Sequence, residues 1–138
     1  FPVLATRMRL TVFLLFSFSF SLARAESSLS GDAFDSFTKG HTLYYSQNGK
    51  IYGAESYFEN ARVRWSFLDG NCIFGQWYQE GELICFDYGS DLAVQCWRFF
   101  KGENGLVAQF DGDDDSVPLY EAFRAPSPLE CPGPDVGV

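Results

Sequence analysis

From Thr42 onward, turn-forming residues divide the chain into short β-rich runs, and this cadence limits the fold more than any other feature. The runs are Thr42–Ser46, Ile51–Phe58, Arg62–Leu68, Cys72–Gln79, Glu82–Tyr88, Ala93–Lys101, Leu106–Phe110 and Leu119–Phe123. Between them stand Asn48-Gly49, Asp69-Gly70-Asn71, Glu80-Gly81, Gly89-Ser90-Asp91 and Asn104-Gly105. Connections this short join neighbouring antiparallel strands, because a parallel pair needs a long crossover. The spacing predicts an all-β fold: an antiparallel up-and-down meander, strongly curved or closed into a small barrel.

Two flanking segments differ. Asp32 to Thr38 reads as one or two helical turns, with Ser30 or Asp32 capping the start and Gly40 the end. Phe34 and Phe37 then share a face that can dock on a sheet. Ala125 to Val138 holds Pro126, Pro128, Pro132 and Pro134. Proline removes ladder donors, so this tail is expected to run extended against the domain, outside the sheet.

Turn lengths set registers. A two-residue turn at Glu80-Gly81 places Trp77 opposite Ile84 and Gly75 opposite Phe86. A turn over Gly89–Leu92 places Cys85 opposite Cys96 and Ile84 opposite Trp97. One face then carries Ile73, Trp77, Ile84, Phe86, Trp97 and Phe99. A three-residue loop at Asp69-Gly70-Asn71, with Gly70 or Asn71 left-handed, adds Val63, Trp65 and Phe67 and lays Trp65 over Gly75.

The same register makes Cys85–Cys96 a cross-strand disulfide and leaves Cys72–Cys131 to tie the tail to the sheet. Zinc is the rival use of four cysteines, but no CxxC or CxxH pair occurs, and the single histidine, His41, is distant in sequence. No cofactor motif is evident, and Gly102-Glu103-Asn104-Gly105 reads as a hairpin turn, not a phosphate cradle.

Disulfides agree with a leader. Met8 is the first methionine, and the residues ahead of it read as an upstream extension or start-site artefact. Arg7 and Arg9 precede the apolar run Leu10 to Leu22, and Ala23-Arg24-Ala25 follows as a small-x-small cleavage site. The run has 13 residues, short of the ~20 that a membrane-spanning helix needs. We therefore expect residues 1–25 to be an upstream extension plus cleavable signal peptide, and 26–138 to be one exported β domain with no membrane span, periplasmic or secreted. The formal charge of the whole chain is −8. Losing Arg7, Arg9 and Arg24 leaves seven basic residues against 18 acidic ones, or −11. Such a domain repels nucleic acid. Its richness in Phe, Tyr and Trp indicates a packed core, since acidic disordered chains are aromatic-poor.

The residues offer little chemistry. His41 alone cannot supply a Ser/His/Asp or Cys/His site in which the cysteines are already bonded. Glu55 and Asp87 lie within strands and are the carboxylates a hydrolase would use. A hairpin at Glu59-Asn60 sets Glu55 near Arg62 or Arg64, which suits a salt-bridged outer face. Asp111, Asp113 and Asp115 imitate the start of a calcium loop, but Ser116 replaces the turn glycine and Ala122 the closing glutamate. The run reads as an acidic loop, with calcium its weak alternative. Tyr44-Tyr45, Tyr52, Tyr57, Tyr78 and Tyr88 are candidates for a ligand-binding mouth or a partner-binding face.

Several motifs are similar to those of a family of small exported proteobacterial proteins classed as a domain of unknown function. They are Gly40-x-Thr42-Leu43-Tyr44-Tyr45, Tyr52-Gly53-Ala54-Glu55-x-Tyr57, Arg62-Val63-Arg64-Trp65, Gly75-x-Trp77, Cys85-Phe86-x-Tyr88, Gln95-Cys96-Trp97 and Cys131-Pro132-Gly133-Pro134. The resemblance spans roughly residues 31–135. It implies a bacterial periplasmic or secreted location and carries no activity. The expectation is a non-catalytic binding module for a small apolar ligand or a protein partner. The alternatives are a carboxylate-dependent hydrolase and a self-associating structural envelope protein.

Overall fold

The computed structural model describes residues 2, 19–21, 27–89, 91–112 and 116–132. The leader apart from residues 2 and 19–21, and the final residues 133–138, lie outside that range. No helix among the described residues is long and apolar enough to cross a membrane.

Helix α1 (Gly31–Thr38) begins at Ser30, whose Oγ accepts the Ala33 amide at 3.2 Å. Eight strands follow: β1 (Thr42–Gln47), β2 (Lys50–Tyr57), β3 (Arg62–Ser66), β4 (Ile73–Glu80), β5 (Leu83–Asp87), β6 (Gln95–Gly102), β7 (Gly105–Phe110) and β8 (Leu119–Ala125). Each pairs antiparallel with the next, and β8 returns to pair with β1, so the meander is a closed barrel. Closure removes the exposed edges that an open sheet would present. The β1–β2 turn is Asn48-Gly49, both with positive φ (51° and 76°), as a hairpin matched to strand twist requires.

Alternation along the strands fills the barrel with Leu43, Tyr45, Tyr57, Val63, Ile84, Phe86, Phe99, Leu106, Ala108 and Leu119, all buried. Helix α1 plugs the end where β1 starts and β2 finishes. Leu29 N donates to Phe99 O at 2.7 Å and Gly31 N to Gln79 Oε1 at 2.7 Å, tying the helix to β6 and β4. Phe34 enters the barrel fully buried, with ring centroids 4.6 Å from Phe99, 5.1 Å from Trp77 and 5.5 Å from Tyr57. Phe37 stays at the plug's rim, under the Lys101 ammonium (4.7 Å) and the Arg124 guanidinium (4.6 Å).

Cys85 stands opposite Cys96 and bonds to it, on the outer side of the wall. Cys72 bonds Cys131 across 59 residues. Before that bond the chain crosses the outside of β1, β2 and β3. Ser127 O accepts from Thr42 Oγ1 (2.8 Å), Leu129 N donates to Ser56 Oγ (2.9 Å), and Leu129 O accepts from Arg64 Nη1 (2.8 Å). Leu129 is buried there, which explains why β2 has buried residues on both of its faces.

Two registers differ from expectation by two residues, which preserves the faces but changes neighbours. The β4–β5 turn is Gly81-Glu82, so Trp77 faces Phe86 and Gln79 faces Ile84. The β3–β4 connection is longer than three residues and sets Trp65 opposite Ile73. Ser66 Oγ accepts from Leu68 N at 2.9 Å and donates to Asn71 O at 2.6 Å; this side-chain turn replaces the last pairs of the ladder. Trp65 consequently covers Gly53, where a Cβ would strike its ring, and Gly75 lies under Tyr88 and the Asp87 carbonyl.

Candidate functional site

The end opposite α1 is open. The wall there is largely aromatic, with Tyr45, Tyr57, Trp65, Phe86, Trp97 and Phe99 turned inward and Gly53 leaving room for the Trp65 ring. Between this mouth and the Tyr57, Phe86 and Phe99 floor lies a cavity of about 150 Å³. Nine of its 16 lining residues are aromatic. At the rim, Trp65 and Phe67 meet edge-to-face at 5.4 Å, and Tyr52 meets Phe67 at 5.6 Å. The pairing of β1 with β2 slips between Tyr45 and Ser46, leaving Tyr52 unpaired at the lip.

The polar groups of the lining include Glu55 and the hydroxyls of Tyr45, Tyr57 and Tyr88. Glu55 is 1 % exposed. Its Oε1 accepts the Tyr88 hydroxyl at 2.8 Å, while its Oε2 is buried without a hydrogen-bond partner. The Tyr45 and Tyr57 hydroxyls share a hydrogen bond of 2.8 Å. Burial pushes the Glu55 carboxyl well above the usual carboxylate range, and the bond from Tyr88 only partly opposes that. Burial likewise raises Tyr45, Tyr57 and Tyr88. Among the described residues no Lys, Arg or His lines the cavity. A second buried carboxylate, Glu121, is already engaged: it accepts from Leu106 N (2.8 Å) and from Arg124 Nε (2.6 Å).

The residues singled out in the sequence divide between the two sides of the wall. Tyr52, Tyr57 and Tyr88, with Tyr45, line the cavity. Tyr44 faces outward and stacks on Phe123 at 4.3 Å, and Tyr78 is exposed beside Cys85. Glu55 is inside rather than paired with Arg62 or Arg64; Arg64 is outside, between the Phe58 and Phe74 rings. Asp87 is exposed on the outer side and accepts the Gly89 amide, so Glu55 and Asp87 do not converge. His41 sits before β1, away from the cavity. Asp111 is bound to Arg98 at 2.7 Å; Asp113 and Asp115 lie outside the described residues. Glu80, Cys85 and Cys96 cluster at metal-ligand distances, but both sulfurs are used in the disulfide.

Trp65, Phe67, Ile73, Phe86, Trp97 and Phe99 carried a sequence signal as a core face, and in the structure that face is the cavity wall. Leu92, Ala93 and Gln95 complete the mouth and carried none, since they sit in or beside a loop. No family model, no curated protein and no solved structure matches this chain.

Proposed function

We propose that this chain is a non-catalytic binding module, periplasmic or secreted, that takes one small and largely apolar molecule into the barrel mouth. The observation that carries the reading is the aromatic cavity, closed below by Phe34 and open between Tyr52, Phe67 and Leu92. Eight strands make a barrel just wide enough to hold one small ligand. A cavity of about 150 Å³ suits a guest of one ring, as apolar cavities of that size accept benzene. The two disulfides support an oxidising compartment, and the motif resemblance supports a place among small exported proteobacterial proteins.

Trp65 and Trp97 line the cavity and report its occupancy. Titration with single-ring probes such as toluene and benzyl alcohol is expected to give a saturable change in tryptophan emission. Ala108→Leu, which fills the cavity from β7, is expected to abolish it. Emission that stays unchanged with every probe, or that saturates equally in Ala108→Leu, would refute the reading.

A further inference from the structure

We propose that the ligand of this cavity is a small organic cation: an ammonium group on an apolar body of about one ring, held by Glu55 and the surrounding aromatic faces. This rests on the reading of the cavity as a binding site and names the chemistry that site accepts.

The first ground is Glu55 itself. Glu55 lines the cavity, and its Oε2 is buried and has no hydrogen-bond partner, whereas Oε1 is held by Tyr88. Buried polar atoms are nearly always satisfied, and one that is not marks a missing partner. Neither Tyr45 nor Tyr57, which bond to each other, lies within hydrogen-bond distance of Oε2, so a guest in the cavity is the available source of a donor.

The second ground is charge. Among the described residues the lining holds one carboxyl and no cationic side chain. No positive charge there favours an anion. Nine aromatic residues line the cavity, and aromatic cages recognise ammonium groups, most strongly where water is excluded. The whole chain carries −8, which draws cations toward it. A neutral donor would satisfy Oε2 but would gain nothing from the rings or the field.

The third ground is the proton. Burial pushes the Glu55 carboxyl of the empty site toward its neutral form. The groups that face it are Tyr88 beyond β5, Tyr45 from β1 and Tyr57 from β2. β3 presents uncharged Trp65, and Glu121 on β8 is paired with Arg124. None of these supplies a positive charge that would ionise Glu55 beforehand. A bound ammonium supplies it: the carboxyl releases one proton to solvent and pairs as carboxylate with the cation. Affinity then rises with pH, by up to about ten-fold per unit, until Glu55 is ionised in the empty site.

The test is calorimetric titration of the whole chain with benzylammonium, benzyl alcohol and benzoate, in buffers of different ionisation enthalpy. Benzylammonium is expected to bind about ten-fold or more tighter than benzyl alcohol. It should release one proton, while the alcohol releases none and benzoate does not bind. In Glu55→Gln the cation's preference over benzyl alcohol is expected to vanish. Equal affinities for ammonium and alcohol, or an ammonium bound without proton release, would overturn the cation and leave the small-ligand site standing. Failure of all three probes would overturn the site as well. Proton release is read on the unmodified chain, so the result does not depend on the variant folding.

Discussion

Replacing Glu55 by glutamine should remove a pH dependence of stability that the native chain carries. Glu55 is 1 % exposed, accepts one hydrogen bond from Tyr88 and faces no cation. In the folded chain its carboxyl titrates well above the usual range because of burial. In the unfolded chain it titrates near 4.3, roughly the free value. Below that value both states hold the proton and Glu55 imposes no penalty. Above it the unfolded state has released the proton while the folded state retains it. The unfolded state then binds fewer protons, and stability falls as pH rises. One proton corresponds to about 1.4 kcal/mol per pH unit, from roughly pH 4.3 up to the raised folded value. Against a total of about 5–15 kcal/mol, two units of pH are a visible loss. Glutamine cannot ionise. It keeps an acceptor for Tyr88 and exchanges one unpartnered atom for another, so at low pH the variant should match the parent within about 1 kcal/mol. Urea unfolding with disulfides intact, followed by tryptophan emission between about pH 5 and pH 7, measures the difference. The variant's advantage should grow by about 1.4 kcal/mol per unit and level off once folded Glu55 ionises. Parallel curves over that interval would mean that Glu55 is ionised in the fold, and the reasoning from burial would fail.

Phe34→Ala should cost about 3–5 kcal/mol, because it empties a fully buried site that touches Phe99, Trp77 and Tyr57; thermal unfolding with a transition close to the parent's would contradict the role of α1 as plug. The two disulfides should differ in worth. In the chain-entropy model the Cys72–Cys131 loop of 59 residues contributes about 1.5 kcal/mol more than the Cys85–Cys96 loop of 11. Urea midpoints of the paired Cys→Ala variants check that order, and a larger loss from Cys85/Cys96 would reverse it.

The strands were legible because turn residues and period-two alternation act locally. Both disulfides followed from one hairpin length, that of the connection over Gly89–Leu92, and from counting. The β3–β4 and β4–β5 registers were less legible, since a hairpin can slip by two residues without exposing any core side chain. Trp77 meets an apolar partner whether it faces Ile84 or Phe86, so alternation cannot distinguish them. Closure of β8 on β1 depends on accumulated twist and stagger, which no single run encodes. The adjacent residues Tyr44 and Tyr45 are chemically alike, yet one stacks on the outside and the other lines the cavity. Only the strand's phase separates them.

Glu55 shows how a single residue in a turn can relocate a functional group. Across a two-residue hairpin at Glu59-Asn60, Glu55 stands opposite Arg64 and shares its outward face. The observed connection is one residue longer: Asn60 and Ala61 both take positive φ (58° and 56°), and Phe58 N donates to Arg62 O at 2.9 Å. That residue shifts the pairing so that Glu55 stands opposite Trp65 and Tyr57 opposite Val63. A one-residue shift turns a side chain to the other face. Ala61 gives no warning, because alanine rarely adopts a left-handed conformation and carries no turn signature. Yet the contradiction was present in the sequence. Val63 and Trp65 belong to the core face, and Tyr57 is large and aromatic. Any register that pairs Tyr57 with Val63 must carry Glu55 inward with Trp65. Only the cost of burying a carboxylate argued the other way, and that cost is lessened by a carboxyl pushed toward its protonated form and by one bond from Tyr88. The residue that ordinary burial rules place on the surface is thus a buried side chain lining the cavity, with one oxygen that has no hydrogen-bond partner.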